Sequence, residues 1–231
     1  MDKRFERTKL LLGETELEKI INSKVIVIGC GGVGGFAIEA LARCGVGTIG
    51  IVDYDIIDIT NINRQIIALQ DTVGNYKVDE FEKRINKINR DCKVIKFKEK
   101  FDKKSVDLFK LKDYNYVIDA IDLITAKLDL AEYCYKNDIK LISSMGAGSK
   151  LNPFLFRITD IKKTHTCPMA RVMRKELKNR NIDKLTCIWS DEKRSGTVVS
   201  SNGRNAPASI SFVPSCVGLM IASYVINELR Y

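Results

Sequence analysis

Short apolar runs alternate with longer amphipathic stretches through the first two-thirds of the chain. Val25-Ile26-Val27-Ile28, Ile49-Gly50-Ile51-Val52, Tyr116-Val117-Ile118 and Leu141-Ile142 are continuously apolar rather than alternating, as strands buried on both faces are. The stretches between them carry apolar residues at helical spacing. The pattern predicts a short helix over 15–22, strand 24–29, helix 33–43, strand 47–53, a polar helical turn near 60–70 and helix 75–89. Strand 92–99, strand 115–119, helix 123–137 and strand 139–144 follow. This is the order of an α/β fold with a doubly wound, Rossmann-like, mostly parallel sheet. Such sheets bind ligands outside the carboxyl ends of their strands.

After Pro153 the pattern changes. It predicts strand 154–159, then a basic helix 168–180 with Pro168 in its first turn, where a missing N–H costs nothing. Strand 185–189 comes next. Residues 195–208 are dominated by Ser, Gly, Asn, Thr and Val and read as a mobile loop. Strand 209–213 and helix 215–229 are expected to finish the fold. No linker divides the chain, so residues 1–231 read as one domain: a nucleotide-binding core of about 1–150 and a basic C-terminal α+β extension of about 151–231.

Composition narrows the class. At 231 residues the chain can bury a full core. The polar start Met1-Asp2-Lys3-Arg4 does not read as a signal peptide. The longest apolar stretch, 213–226, is interrupted by Pro214, Ser215, Gly218 and Ser223, so a buried helix is expected and no transmembrane segment. The seven cysteines are an odd number, which argues for a reducing, cytoplasmic setting. None forms a C-x-x-C pair. The single histidine, His165, rules out a multi-histidine metal centre; it reads as an exposed side chain in a basic run.

The net charge of +9 is concentrated. Residues 83–104 hold ten Lys/Arg against three Asp/Glu, and residues 161–204 hold eleven against four, each a net +7 on an otherwise acidic body. Two such segments point to a polyanionic partner or to two solvated basic faces.

The candidate chemistry begins at Gly29-Cys30-Gly31-Gly32-Val33-Gly34, directly after the first strand. Gly29, Gly31 and Gly34 fit G-x-G-x-x-G, and Asp53 stands near the ribose-binding position. Glycines admit a phosphate to the backbone, and the following helix N-terminus favours an anion. An NAD-binding redox or regulatory protein and an ATP-binding one both satisfy this. The next residues favour ATP. Arg64 in Asn61-Ile62-Asn63-Arg64-Gln65, Lys77 and the upstream Arg7 supply cations, and Asp122 supplies a carboxylate at a strand end. Cations for the phosphates and an aspartate for hydrated Mg²⁺ suit a triphosphate better than a dinucleotide. Asp119, nearer the strand interior, reads as structural.

Gly29-x-Gly31-Gly32-x-Gly34, Asp53-x-Asp55, Asn61-x-Asn63-Arg64-Gln65, Lys77 and Asp122 together resemble the adenylating domain of ubiquitin-activating-like enzymes, which include the thiamine and molybdopterin sulfur-carrier activators. Arg4-Phe5-x-Arg7, Gly45-Val46-Gly47, Ser144-Met145-Gly146-Ala147-Gly148 and Pro168-Met169-Ala170-Arg171 are most similar to the branch that dehydrates threonylcarbamoyladenosine in tRNA. The resemblance implies ATP and Mg²⁺ as cofactors. It places Gly31, Gly32, Gly34, Asp53, Asp55, Asn61, Asn63, Arg64, Gln65, Lys77 and Asp122 on the nucleotide. Arg64, Lys77, Asp122 and Arg7 become the catalytic set, with Asp122 on the metal and Arg7 reaching across a homodimer. The implied polyanion is tRNA rather than DNA, met by Arg171, Arg174, Lys175 and Lys178. A sulfur-transfer protein is a further conceivable partner.

A sulfur-carrier adenylyltransferase is the nearest alternative, and the missing cysteine pairs of its zinc site count against it. Cys167 and Cys187 lie where related activators place a reactive thiol. A capping role for Cys167 at a helix start is the simpler expectation.

Overall fold

The computed structural model describes residues 3–196, 199–201 and 204–231. Helices α1 (Glu6–Leu12) and α2 (Glu14–Ile21) lead into β1 (Lys24–Ile28), α3 (Gly32–Cys44), β2 (Thr48–Val52), α4 (Lys77–Ile88) and β3 (Lys93–Phe97). Then come β4 (Tyr116–Asp119), α5 (Ile124–Lys136), β5 (Leu141–Ser144), β6 (Phe156–Asp160), α6 (Pro168–Asn179), β7 (Thr186–Ser190), a β8–β9 hairpin (Val199–Ser201, Arg204–Ala206) and α7 (Phe212–Arg230).

Seven strands form one sheet in the order β3-β2-β1-β4-β5-β7-β6. All neighbours are parallel except β6, which runs antiparallel to β7. The strand order reverses between β1 and β4, which opens a crevice at their carboxyl ends. Successive strand residues point to opposite faces. Val25 and Val27 therefore enter the layer formed with α3, α4 and α7, while Ile26 and Ile28 enter the layer formed with α5 and α6. Each covering helix buries one stripe: Val78, Phe81 and Ile85 in α4, and Ala170, Met173 and Leu177 in α6.

Three expectations change. Residues 209–211 are irregular and 212–213 already belong to α7, so there is no strand at 209–213. Pro214 falls in the first helical turn, where its lack of an N–H removes no bond, and Val213 and Val217 both turn inward one helical turn apart. The run 195–208 contains the β8–β9 hairpin; its residues 197, 198, 202 and 203 lie outside the described residues. Helix α1, absent from the hydrophobic pattern, buries none of its residues and leaves Leu10 and Leu11 exposed.

Helix α7 is long and apolar enough to cross a membrane, but it buries Val213, Val217, Ile221, Val225 and Ile226 in the same core layer as α3. That packing is the fate of a core helix.

Candidate active site

The turn between β1 and α3 is built for close approach. Gly29 has φ +92°, and a Cβ there would stand 2.6 Å from the carbonyl oxygen of Ala120. A Cβ on Gly34 would stand 1.8 Å from the carbonyl oxygen of Gly29. Side chains are therefore excluded at both ends of the turn. Helix α3 starts at Gly32 with Gly31 as its cap, and no side chain caps the first-turn amides. These amides are free to face an anion.

Asp53, just past β2, is buried. Its Oδ2 accepts the Cys30 amide at 2.7 Å and its Oδ1 accepts the Asp55 amide at 2.9 Å. Burial raises its pKa, against the opposing pull of Lys77 and the two amides. Lys77 opens α4, and its buried ammonium lies 2.7 Å from Asp55 Oδ2 and 4.0 Å from Asp53 Oδ2. The acidic pair and the lysine thus form one cluster beside the glycine turn.

Arg64 is half-buried, and among the described residues its hydrogen-bond partners are neutral: the Thr60 carbonyl at 3.1 Å and Asn63 Oδ1 at 2.8 Å. Burial lowers its pKa. A guanidinium partly withdrawn from water without a carboxylate is a strong attractor for an anionic ligand.

The three amides of this segment, equivalent in the sequence, take different jobs. Asn61 Oδ1 accepts the Asp58 amide at 3.2 Å in a reciprocal cap that shapes the turn. Asn63 holds Arg64 and donates to the Ser209 carbonyl at 3.1 Å. Gln65 is buried beside Gly31, and its Oε1 has no hydrogen-bond partner. An orphaned buried acceptor at the glycine turn marks Gln65 as the amide ready for a ligand donor.

Asp122 lies three residues past the end of β4, exposed and without a hydrogen bond among the described residues. That setting fits hydrated Mg²⁺, which keeps several waters and takes one or two carboxylates along with substrate phosphates. The loop carrying Asp122 is fixed from below. Asp119 is fully buried; its Oδ1 accepts the Ile121 amide at 3.0 Å, and its Oδ2 accepts Lys127 Nζ at 2.9 Å and Ser143 Oγ at 2.5 Å. Lys127, which the sequence shows only as one lysine of an amphipathic helix, is as fully buried as its partner.

Residues 207–214 bridge the two halves of the crevice. Ala208 accepts the Ser149 amide at 2.7 Å, Ser209 accepts Asn63, and Pro214 stands 3.2 Å from where a Cβ on Gly32 would be. The segment after β5 is thereby tied to the glycine turn.

Other predicted residues lie apart from this cluster. Arg7 is exposed on α1 and makes no ion pair or hydrogen bond among the described residues. Arg171, Lys175 and Lys178 form an exposed stripe on α6. Arg174 turns inward, half-buried, and donates to Thr164 Oγ1. Cys167 occupies the α6 cap position, buried, but its thiol makes no capping bond. Cys187 is fully buried in β7, and burial pushes its thiol up to about 12, which keeps it protonated.

The ThiF family model matches residues 5–230. The tRNA threonylcarbamoyladenosine dehydratase of Bacillus subtilis is 45% identical over 240 residues, spanning 97% of this chain and 94% of the relative. Crystal structures of the Escherichia coli tRNA N6-threonylcarbamoyladenosine dehydratase TcdA, in complex with AMP and with ATP, superpose with a TM-score of 0.90 at 34% identity. They cover 98% of this chain and 94% and 93% of their own.

Proposed function

The chain belongs to the ThiF family, and from that membership and the geometry of the crevice we propose that it is an ATP-dependent dehydratase acting on threonylcarbamoyladenosine in tRNA. Arg64 carries this reading: a half-buried cation with only neutral partners among the described residues, its backbone carbonyl 3.4 Å from where a Cβ on Gly32 of the glycine turn would be. The 45% identity to the Bacillus dehydratase supports the same substrate.

In this reading the threonyl carboxylate attacks the α-phosphate of ATP, and pyrophosphate leaves. The resulting acyl-adenylate is attacked by a carbamoyl nitrogen, which closes the ring and releases AMP. Asp53 and Asp55 orient the nucleotide, and Gln65 supplies the acceptor next to Gly31. The α3 amides, Arg64 and Lys77 offset phosphate charge as it builds. Asp122 would hold Mg²⁺, whose charge neutralises phosphate oxygens when bound.

The unit is proposed to be a homodimer in which Arg7 of the partner subunit completes each phosphate site. Arg7, exposed and without an ion pair or hydrogen bond among the described residues, on a helix that buries none of its residues, supports this. tRNA lies along the stripe of Arg171, Lys175 and Lys178. The cysteines, all free among the described residues, suit a reducing cytoplasm.

The test is pyrophosphate release from ATP in the presence of modified tRNA, a ubiquitin-like protein, or neither. Release with modified tRNA alone is expected. Release with the ubiquitin-like protein instead would make the chain a sulfur-carrier activator, and micromolar NAD binding without ATP binding would remove the adenylation reading altogether.

A further inference from the structure

We propose that Thr166, His165 and Asp191 form a proton relay that accepts the proton released when the carbamoyl nitrogen closes the ring. The proposal rests on the dehydratase reading above.

The imidazole stands between the other two: hydrogen-bonded to the threonine and at ion-pair distance from the carboxylate. His165 Nε2 lies 3.2 Å from Asp191 Oδ1, and His165 Nδ1 lies 3.0 Å from Thr166 Oγ1. In the relay Nε2 carries the ring proton and faces the carboxylate, which leaves Nδ1 as the acceptor for the Thr166 hydroxyl. Asp191 Oδ1 is buried and has no hydrogen-bond partner among the described residues, which leaves it open to a proton brought by the imidazole, while the other oxygen is held by the Arg157 guanidinium. The imidazole stands edge-on to the buried Trp189 ring, 4.6 Å between centroids at 76°. Trp189 is itself fixed by a 2.9 Å bond from Nε1 to Thr159 Oγ1. The ring is held on three sides, yet its side chain is 62% exposed and open to a large substrate.

The backbone gives a second, independent indication. Thr166 has φ +57°, the left-handed region that β-branched residues avoid. The Cys167 amide closes a three-residue turn onto the His165 carbonyl around it. A turn with only a structural task is met more easily by Gly or Asn at that position. Here the conformation brings the threonine hydroxyl to the imidazole. Strained residues of this kind cluster at functional sites.

Position agrees with the role. Cys167, next in the chain, has its sulfur 3.7 Å from where a Cβ on Gly146 would be, at the carboxyl end of β5. Asp191 directly follows β7. Both lie along the sheet edge that carries Asp122 after β4. From β4 to β7 is two strand spacings, roughly 10 Å. ATP over β1 and β4 leaves the substrate's own atoms to extend toward β5 and β7.

The step balances. The nitrogen's electron pair forms the new N–C bond, and the acyl C–O bond to AMP breaks with its electrons leaving on the phosphate. The N–H proton passes to Thr166 Oγ as the hydroxyl proton moves to His165 Nδ1. Asp191 stabilises the resulting imidazolium, which then loses the proton to water.

The experiment uses the full chain with ATP, Mg²⁺ and modified tRNA, and compares two readouts: tRNA-dependent exchange of pyrophosphate into ATP, and cyclic product formed per AMP released. Thr166→Val and His165→Ala are expected to keep exchange within about 2-fold of wild type and to lose about 100-fold in cyclisation, the ordinary size of a general acid–base contribution. Thr166→Ser should retain cyclisation, and added imidazole should restore part of it to His165→Ala. Unchanged cyclisation in Thr166→Val overturns the relay, even if the His165 variant does not fold. A wild-type chain without tRNA-dependent exchange overturns the dehydratase reading first, and the relay with it.

Discussion

Lys77 and Asp55 are bound to each other twice: the ammonium lies 2.7 Å from Asp55 Oδ2, and the Lys77 amide donates to the Asp55 carbonyl at 3.1 Å. The backbone bond aims the first turn of α4 at the end of β2. The side-chain bond holds the lysine beside the glycine turn, so that in the proposed nucleotide site little ordering would remain to be done on ATP binding.

Removing the ammonium should therefore damage both binding and stability. Lys77→Ala is expected to weaken ATP by about 10- to 100-fold, the worth of a charge-assisted hydrogen bond. It also leaves Asp53 buried without its cation. A broken buried pair costs about 3–5 kcal/mol; Asp55, with its side chain 47% exposed, is screened by water, which brings the expected loss to about 1–2 kcal/mol. Calorimetric titration and thermal melting check the two effects. Normal ATP affinity in the variant would remove Lys77 from the phosphate site.

Arg7 offers a test of subunit sharing. Neither an Arg7→Ala homodimer nor a Lys77→Ala homodimer has a complete site if Arg7 acts across the interface. A mixed dimer restores one, so partial activity should return when the two inactive chains are co-assembled. Verified heterodimers with no activity would place Arg7 elsewhere.

The exposed stripe on α6 predicts a salt effect. Each phosphate contact with single-stranded nucleic acid or duplex contributes about 0.7–0.9 to the slope of log K against log salt. Replacing Arg171, Lys175 and Lys178 with Ala should flatten that slope by about 2–3 for tRNA while leaving ATP affinity near normal. An unchanged slope would make this stripe a solvated basic face.

Glu39 predicts an acid limb in stability. It is buried, and Arg84 reaches it twice, at 2.6 Å and 3.1 Å, with Arg43 at 2.8 Å. Burial alone would raise its pKa, but the bonds from Arg84 and Arg43 outweigh that and lower it. A lowered folded pKa means stability that is present above the unfolded value, about 4.3, and is lost as pH falls through the folded one. Glu39→Gln should thus be less stable than wild type near neutral pH, with the gap closing in acid. Melting curves at both pH values check it; a constant gap would contradict it.

The places of the glycine turn, Asp53 and Asp122 were legible in the sequence because they lie at or just past the ends of predicted strands, whereas those of Arg64 and Lys77 entered only through the family motif. A strand of Val and Ile running into glycines dictates a turn that backbone and phosphate can share, and charges a few residues past strand ends fall at one sheet edge in any doubly wound fold. The alternation of strands and helices, and with it the doubly wound, mostly parallel class, followed from the same periodicity; the strand order came only with the structure. What depends on distant contacts did not show. Asn61, Asn63 and Gln65 look alike until Asn61 caps the turn, Asn63 meets the Ser209 carbonyl and Gln65 is left beside Gly31 with an unpartnered acceptor. Lys127 reads as a surface lysine until Asp119 and Ser143 meet it in the core. His165 reads as an exposed side chain in a basic run, and so it is; only the pairing of β6 with β7 and the return of the chain over Trp189 bring it to Asp191. Local pattern determines which elements form and which backbone turns can bind phosphate. Which side chain meets which, across more than a hundred residues in some cases, is decided by how those elements close around two core layers.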